Sequence, residues 1–128
     1  MAHPTPLGIE LHTRSRELEL KYPGDESYRL SYEFLRVMSP SAEVRGHGPG
    51  QEVLQEGKQN VMITDLKPVG NYALQPVFND GHDSGIYAWD YLYELCRDHD
   101  TLWQRYLEQL HAAGASRDPE VQVVKLDL

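Results

Sequence analysis

The sequence predicts an α+β fold, in which a small antiparallel β-sheet carries two C-terminal helices packed on one face. In the first two thirds of the chain, apolar and polar residues alternate over short segments, the pattern of half-buried strands. The last third changes to the spacing of a broad apolar helix face. Strands that come first and helices that come last are typical of this fold class.

Length and composition limit the classes of function. The 128 residues suffice for one domain with a modest core, and the net charge of -8 argues against binding to nucleic acid or anionic membranes. Neither a membrane-spanning stretch nor a signal-peptide core is present, so a cytoplasmic location is expected. The single cysteine, Cys96, excludes an internal disulfide and a cysteine-rich zinc or iron–sulfur site. We predict a flexible tail over residues 1–7, one domain over 8–113 and a C-terminal tail over 114–128.

The N-terminal strands follow from period-two alternation. Gly8–His12 is the first strand, and Glu17–Tyr22 is expected to form an antiparallel hairpin with Tyr28–Tyr32 across the Pro23-Gly24 turn. The charged residues of these strands are expected to lie on the outer face as solvated charges: Glu10, His12, Glu17 and Glu19.

The middle of the chain is expected to hold a capped helix, a loop and a second hairpin. Ser31 is expected to cap a short helix before Pro40, and the polar, glycine-rich segment 41–58 reads as an exposed loop. Two further strands, 61–63 and 71–74, are expected to be joined by a turn at 67–70. Pro76 lacks an N–H donor, so its strand should be an edge strand or carry a bulge there.

Two helices are predicted in the C-terminal third. The first presents Ile86, Trp89, Tyr93 and Cys96 on one face. Thr101 and Gln104 have the spacing of a capping box that begins the second helix, and Gly114 is a natural stop. Residues 121–126 are compatible with a further strand or a tail.

His82 is the first candidate for chemistry, because it follows an Asp-Gly turn and lies between Asp80 and Asp83. A histidine beside carboxylates can be a metal ligand or a general base. The alternative is a structural histidine whose ring bonds the turn and orients the junction between strand and helix. Spacing alone favours this structural role.

Three further residues are candidates for an interaction surface. His47 lies between glycines in a segment that matches neither a phosphate-binding loop nor a dinucleotide fingerprint, so an exposed loop is expected. On a helix, Trp89 can face the core while Tyr87 and Tyr91 point elsewhere, and their exposure would indicate a partner surface. No nucleophile-elbow or equivalent catalytic signature is present.

Four segments together resemble a known family. They are Leu18–Leu20, Tyr32–Arg36, Gly70–Leu74 and the Asp-Gly-His block of Asn79–Leu92. These segments are similar to the small domain at the N-terminus of gamma-butyrobetaine hydroxylase, over about residues 8–96. The resemblance implies a domain that also exists as short stand-alone bacterial proteins and as an appendage on iron–sulfur cluster carriers.

The resemblance also implies a zinc module, with three cysteines after the Leu35-Arg36 pair and one histidine in the Asp-Gly-His turn. The cysteine positions fall on Ser39, Ser41 and Val44, and His82 alone is retained. Hydroxyl and isopropyl groups do not replace thiolates as zinc ligands. The resemblance covers only the small domain, so the iron and 2-oxoglutarate chemistry of the oxygenase are not implied.

Three hypotheses follow. The leading one is a non-catalytic accessory or interaction domain that assists iron–sulfur or redox enzyme maturation, needs no cofactor, and binds a protein partner such as an iron–sulfur carrier or a redox enzyme. The second is a protein that weakly binds a metal ion through His82 with Asp80 or Asp83, and with His47 as an optional further ligand. The third is an enzyme whose pocket would join His82 to a carboxylate. A monomer and a dimer are both compatible with the sequence.

Overall fold

The computed structural model describes residues 3–121 and confirms the α+β class. In chain order the elements are β1 (Gly8–His12), β2 (Glu17–Lys21), β3 (Ser27–Ser31), α1 (Tyr32–Val37), α2 (Ala42–Arg45), β4 (Ile63–Val69), β5 (Ala73–Phe78), β6 (Tyr87–Ala88), α3 (Trp89–Arg97) and α4 (His99–Ala113). The antiparallel strands form two three-stranded sheets, ordered β1-β2-β3 and β4-β5-β6, in place of a single sheet. No helix of the described part is long and apolar enough to cross a membrane.

The N-terminal sheet is the predicted hairpin with β1 added to its edge. Leu18 and Leu20 of β2 are buried, and they pair with Leu30 and Tyr28 of β3. Because alternate residues point to opposite faces, the charged residues of β1 and β2 lie together on the outer face. The amide of Leu7, within the predicted tail, donates to the carbonyl of Lys21.

Helix α1 leaves the N-terminal sheet at its predicted cap. The Ser31 hydroxyl accepts a hydrogen bond from the Phe34 amide at 3.0 Å, which satisfies one of the free N–H groups at the helix start. All six residues of α1 are buried. Segment 41–58 is not a loop throughout as expected, since it begins with the short helix α2, which Ser41 caps.

The second sheet corrects the expected hairpin. Strand β4 continues through the predicted 67–70 turn to Val69, and the chain reverses over residues 70–72, where Gly70 has a φ of +51°. Pro76 lies in the middle strand, β5, and not in an edge strand. It is tolerated because β6 pairs only with Ala73 and Leu74, so that Pro76 has β4 on one side alone.

The start of α3 also differs from the expectation. Residues 87 and 88 form β6, and the helix begins at Trp89. Helix α4 begins at His99, two residues before the expected capping box, and its N-terminus has no side-chain cap. Its predicted end is confirmed, because Gly114 adopts the left-handed conformation.

The core lies between the sheets and the helices. Leu92, Leu95 and Cys96 of α3 join the apolar faces of the strands, while Tyr106 and Leu110 of α4 pack against Val37 in a smaller cluster. Burial raises the pKa of the Cys96 thiol to about 12, so the thiol stays protonated and unreactive.

Residues 115–118, at the start of the predicted C-terminal tail, pack against the rest of the domain. Arg117 donates two hydrogen bonds to the buried Glu33 carboxylate at 2.8 and 2.7 Å. The carbonyls of Ser116 and Arg117 accept from the amides of Gly57 and Gln59. Residues 115–118 are therefore part of the fold, whereas most of the expected strand or tail at 121–126 lies outside the described residues.

Candidate functional site

His82 lies at the end of a tight turn that closes β5. The Phe78 amide donates to the His82 carbonyl at 3.0 Å, and Gly81 supplies the positive φ of +90° that the turn needs. The side chain points inward, and His82 is 3% exposed. The turn therefore places an imidazole inside the protein beside the segment that follows α1.

Both ring nitrogens of His82 have hydrogen-bond partners. Nδ1 lies 2.8 Å from Oε2 of Glu43, and Nε2 lies 2.7 Å from the hydroxyl of Ser39. The hydrogen bond from His82 holds the pKa of Glu43 below its usual range, so the carboxylate is ionised and accepts. Nδ1 is thus the donor to Glu43, and in the neutral ring Nε2 accepts from Ser39.

The order serine, histidine and glutamate matches that of a hydrolase triad, but the serine is closed to substrate. Ser39 is 0% exposed. A Cβ atom added at Gly85 would lie 2.5 Å from the Ser39 hydroxyl, so the backbone of Gly85 covers it directly. A carbonyl substrate therefore cannot reach the Ser39 hydroxyl, and the arrangement acts as a structural pin between the turn and α2.

Asp80 holds the turn from the other side. Its Oδ2 atom accepts from Arg36 at 2.9 Å and from Lys58 at 2.6 Å, while Oδ1 accepts from the amide of His82. Burial acts to raise the pKa of Asp80, but the Lys58 hydrogen bond and the Arg36 charge outweigh it, so the pKa lies below its usual value. The Asp80 carboxylate is therefore already paired with the side chains of Arg36 and Lys58.

The structure does not bring His82, Asp80 and Asp83 together as a ligand set. Asp83 is exposed, and its contribution to the turn is its carbonyl, which accepts from Gln75 at 2.7 Å. Within residues 3–121 one trio of potential ligand atoms lies within 4.8 Å of one another, and it consists of Glu10, His12 and Glu19 on the N-terminal sheet. The alternation of the two strands predicted these three side chains only as solvated charges on the outer face.

The four positions that the resemblance assigns to zinc do not fit a zinc ion. Ser39 bonds His82, and the hydroxyl of Ser41 lies 2.7 Å from that of Ser84. Val44 is buried and offers only an isopropyl group. A closed structural zinc site needs thiolate or imidazole donors at each corner, and here hydrogen bonds take their place.

The proposed interaction residues fall in three different environments. Tyr87 is fully buried in β6 and its hydroxyl donates to the Leu35 carbonyl, so the expectation of an exposed side chain was wrong. Tyr91 is half-buried, and its hydroxyl donates to the Met38 carbonyl at 2.5 Å. His47 is exposed as expected.

Ile86, which helical spacing placed on one apolar face with Trp89, Tyr93 and Cys96, is exposed in the structure. It immediately precedes β6 and is 46% exposed, because the strand turns Tyr87 inward and its neighbour outward. Three exposed carboxylates lie on α2, on the turn and at the start of α3; they are Glu43, Asp83 and Asp90, respectively. We call this set the turn surface: Glu43, Asp83, Ser84, Ile86 and Asp90.

The sequence of the described fold matches a defined family. The family described as gamma-butyrobetaine hydroxylase-like, N-terminal, matches residues 9–93. The chain belongs to this family. The gamma-butyrobetaine hydroxylase-like N-terminal domain thus covers every element from β1 to the middle of α3.

Solved structures with the same fold include members with high identity. One solution NMR structure is 54% identical with a TM-score of 0.82, and the match covers 99% of this chain and 100% of that one. A second solution NMR structure is 47% identical with a TM-score of 0.77, and the match covers 98% of this chain and 94% of that one. A crystal structure of a DUF971 family protein of unknown function from Acidithiobacillus ferrooxidans is 37% identical, with a TM-score of 0.59, over 70% of this chain and 90% of that one. No curated protein matches the chain.

Proposed function

We propose that the protein is a non-catalytic interaction domain, which uses the turn surface to bind a protein partner in the cytoplasm. The partner class is an iron–sulfur carrier or a redox enzyme, whose maturation the domain assists. The observation that carries the proposal is the closed contact of His82 with Ser39 and Glu43. This contact occupies both ring nitrogens of His82 and holds the exposed carboxylate of Glu43 in place.

The hydrogen bonds of His82 with Ser39 and Glu43 favour binding because they order exposed side chains before a partner arrives. Glu43 is 65% exposed, yet its carboxylate is tied to a buried imidazole at 2.8 Å. The adjoining Ser84 is linked to α2 through Ser41. A surface that is already ordered loses little conformational entropy on association, which favours affinity.

The chemistry of the turn surface indicates the kind of partner surface. Ile86 is an exposed apolar side chain. The exposed carboxylates of Asp83 and Asp90 lie three positions before and four positions after it in the chain, and Glu43 is joined to the same turn through His82. An exposed apolar residue among acidic groups complements a partner surface that combines apolar residues with Lys and Arg. The association of cluster carriers with domains of this family, which the resemblance implies, is the reason for the partner class.

Partner capture with matched variants tests the proposal. Tagged wild-type protein, Ile86→Arg and Leu7→Arg would be used as baits in native cells; Leu7 is a control because it is 76% exposed and apolar but precedes the N-terminal sheet. We expect an iron–sulfur carrier or redox enzyme to be retained by wild type and Leu7→Arg and lost by Ile86→Arg. Failure of wild type to retain one, or equal retention by all three baits, would contradict the proposal.

Metal binding at His82, the second hypothesis, requires this contact to open. A metal ion on either ring nitrogen would displace Ser39 or Glu43, and Asp80 would have to leave Arg36 and Lys58. The geometry therefore favours interaction over metal binding at this site. Metal analysis of the tag-free chain and of His82→Ala distinguishes the two, because only the second hypothesis expects metal that depends on His82.

A further inference from the structure

The outer face of the N-terminal sheet gathers an imidazole and two carboxylates. Strand register places Glu10 of β1 directly opposite Glu19 of β2, and His12 lies on the same face two residues further along β1. Nε2 of His12 lies 2.8 Å from Oε1 of Glu19 and 3.5 Å from Oε2 of Glu10. The three side chains therefore converge on one point.

Two neighbouring cations contact the carboxylates at that point. Lys21 binds Glu10 at 2.8 Å through Oε1, the oxygen that does not face His12. Arg29 lies 3.5 Å from Oε1 of Glu19, the same oxygen that faces His12, which is beyond the usual hydrogen-bond distance, so a metal ion would replace only this weaker contact. Like charges directly opposite on a sheet are destabilising, so a cation between Glu10 and Glu19 would relieve their repulsion.

We propose that Glu10, His12 and Glu19 form a binding site for a divalent transition metal of the Zn²⁺ class. Zinc binds imidazole and carboxylate donors at about 2.0–2.2 Å, which separates tetrahedral ligand atoms by roughly 3.4 Å. The Glu10–His12 distance of 3.5 Å already has this value, and the His12–Glu19 distance of 2.8 Å needs a small side-chain rotation to reach it. Imidazole with carboxylate favours zinc over magnesium or calcium, which prefer oxygen ligands alone.

Three protein ligands leave the fourth tetrahedral position open. Such an open position is the arrangement of zinc sites that bind a water molecule or an exchangeable ligand. The site lies on the N-terminal sheet, apart from the turn surface and from the positions that the family resemblance assigns to zinc. It is independent of the proposed function, since it uses neither Ile86 nor His82.

Calorimetric titration of the tag-free full chain with zinc chloride tests the site. We expect one saturable site in wild type, with His12→Ala and Glu19→Gln each weakening affinity by about tenfold or more, since loss of even an outer-shell partner costs that much. The matched controls are Glu108→Gln, an exposed carboxylate on α4, and His111→Ala, an exposed histidine on the same helix. Both controls should bind zinc as wild type does.

A gain of affinity provides an independent check. Lys21→Met removes the cation that shares Glu10, so this variant should bind zinc more tightly than wild type. The absence of saturable binding in wild type, or equal affinity of wild type and His12→Ala, would overturn the proposal. Loss of binding in the controls as well would also overturn it.

Discussion

The hydroxyl of Ser39 lies 2.7 Å from Nε2 of His82, although 43 positions separate the two residues in the chain. This contact joins the segment after α1 to the turn after β5, and Glu43 binds the other nitrogen of the ring. Substitution at Ser39 therefore tests the contact without removing the imidazole.

Ser39→Ala should destabilise the protein by about 1–3 kcal/mol, because the buried Nε2 of His82 loses its partner. Urea denaturation at pH 7 measures the free energy of unfolding. Ser27→Ala is the control, since Ser27 is exposed on β3 and should change stability by about 0.5 kcal/mol or less. Equal effects of the two substitutions would show that the contact contributes nothing.

Restoring thiols should create a zinc site at His82. The triple substitution Ser39→Cys, Ser41→Cys and Val44→Cys supplies the donors that the family resemblance implies, and His82 supplies the fourth. In a His12→Ala background, we expect this variant to bind cobalt with a thiolate-to-metal charge-transfer band in the near ultraviolet.

The matched control for this design is the same triple variant with His82→Gln, which should bind cobalt about tenfold or more weakly. A triple variant that shows no charge-transfer band would contradict the assignment of Ser39, Ser41 and Val44 to the ligand positions.

Gly85→Ala should destabilise the protein by about 1–3 kcal/mol through overpacking. The added methyl group would lie 2.5 Å from the Ser39 hydroxyl and 3.1 Å from the Tyr87 ring. Thermal unfolding would measure the effect. Gly48→Ala is the control because nothing lies within 4 Å of its Cβ position, and a shift as large as that of Gly85→Ala would refute the steric argument.

Arg117→Ala should cost about 2 kcal/mol of stability, because Glu33 is buried and would lose two charge-assisted hydrogen bonds. The estimate is below that for a fully buried pair, since Arg117 is partly exposed. Arg105→Ala on the exposed face of α4 should change stability by about 0.5 kcal/mol or less, and chemical denaturation of both variants makes the comparison. A small effect at Arg117 would mean that residues 115–118 add little to the fold.

The free energy of unfolding should decrease at acidic pH as Asp80 becomes protonated. Its folded pKa lies below the usual value of about 3.9, so the contribution is fully present above that value and is lost as pH falls through the folded pKa. Wild type should therefore be more stable than Asp80→Asn at pH 7, and the difference should shrink toward pH 3. Urea denaturation at both pH values measures it.

Asp83→Asn is the control for Asp80→Asn, because Asp83 is exposed and its carboxylate makes no hydrogen bond within the described residues. This variant should match wild type at both pH values. A difference between wild type and Asp80→Asn that stays constant with pH would show that the ionisation of Asp80 does not contribute to stability.

Tyr87 shows why one face assignment failed. Helical spacing placed it away from the core, but residues 87 and 88 pair with Leu74 and Ala73 as a strand. A change of period from 3.6 to 2 at this position exchanges the inward and outward side chains, which buries Tyr87 and exposes Ile86. That choice depends on the partner strand, which lies more than ten residues earlier.

The sequence by itself determined the features that depend on near neighbours in the chain. These include the alternation of β2, the cap at Ser31 and the helix stop at Gly114, because backbone preferences and short-range hydrogen bonds act over a few residues. The family resemblance placed Ser39 and His82 at positions equivalent to zinc ligands, but it did not predict the hydrogen bond between them.

The tertiary structure alone decided which distant residues meet. Ser39 reaches His82 across 43 positions, Glu33 reaches Arg117 across 84, and strand register sets Glu10 against Glu19. Such contacts require loop closure and the packing of whole elements, to which every buried residue contributes. Local patterns therefore predict the elements whose signals lie within a few residues, whereas the packing of the two sheets and the helices assembles the candidate sites.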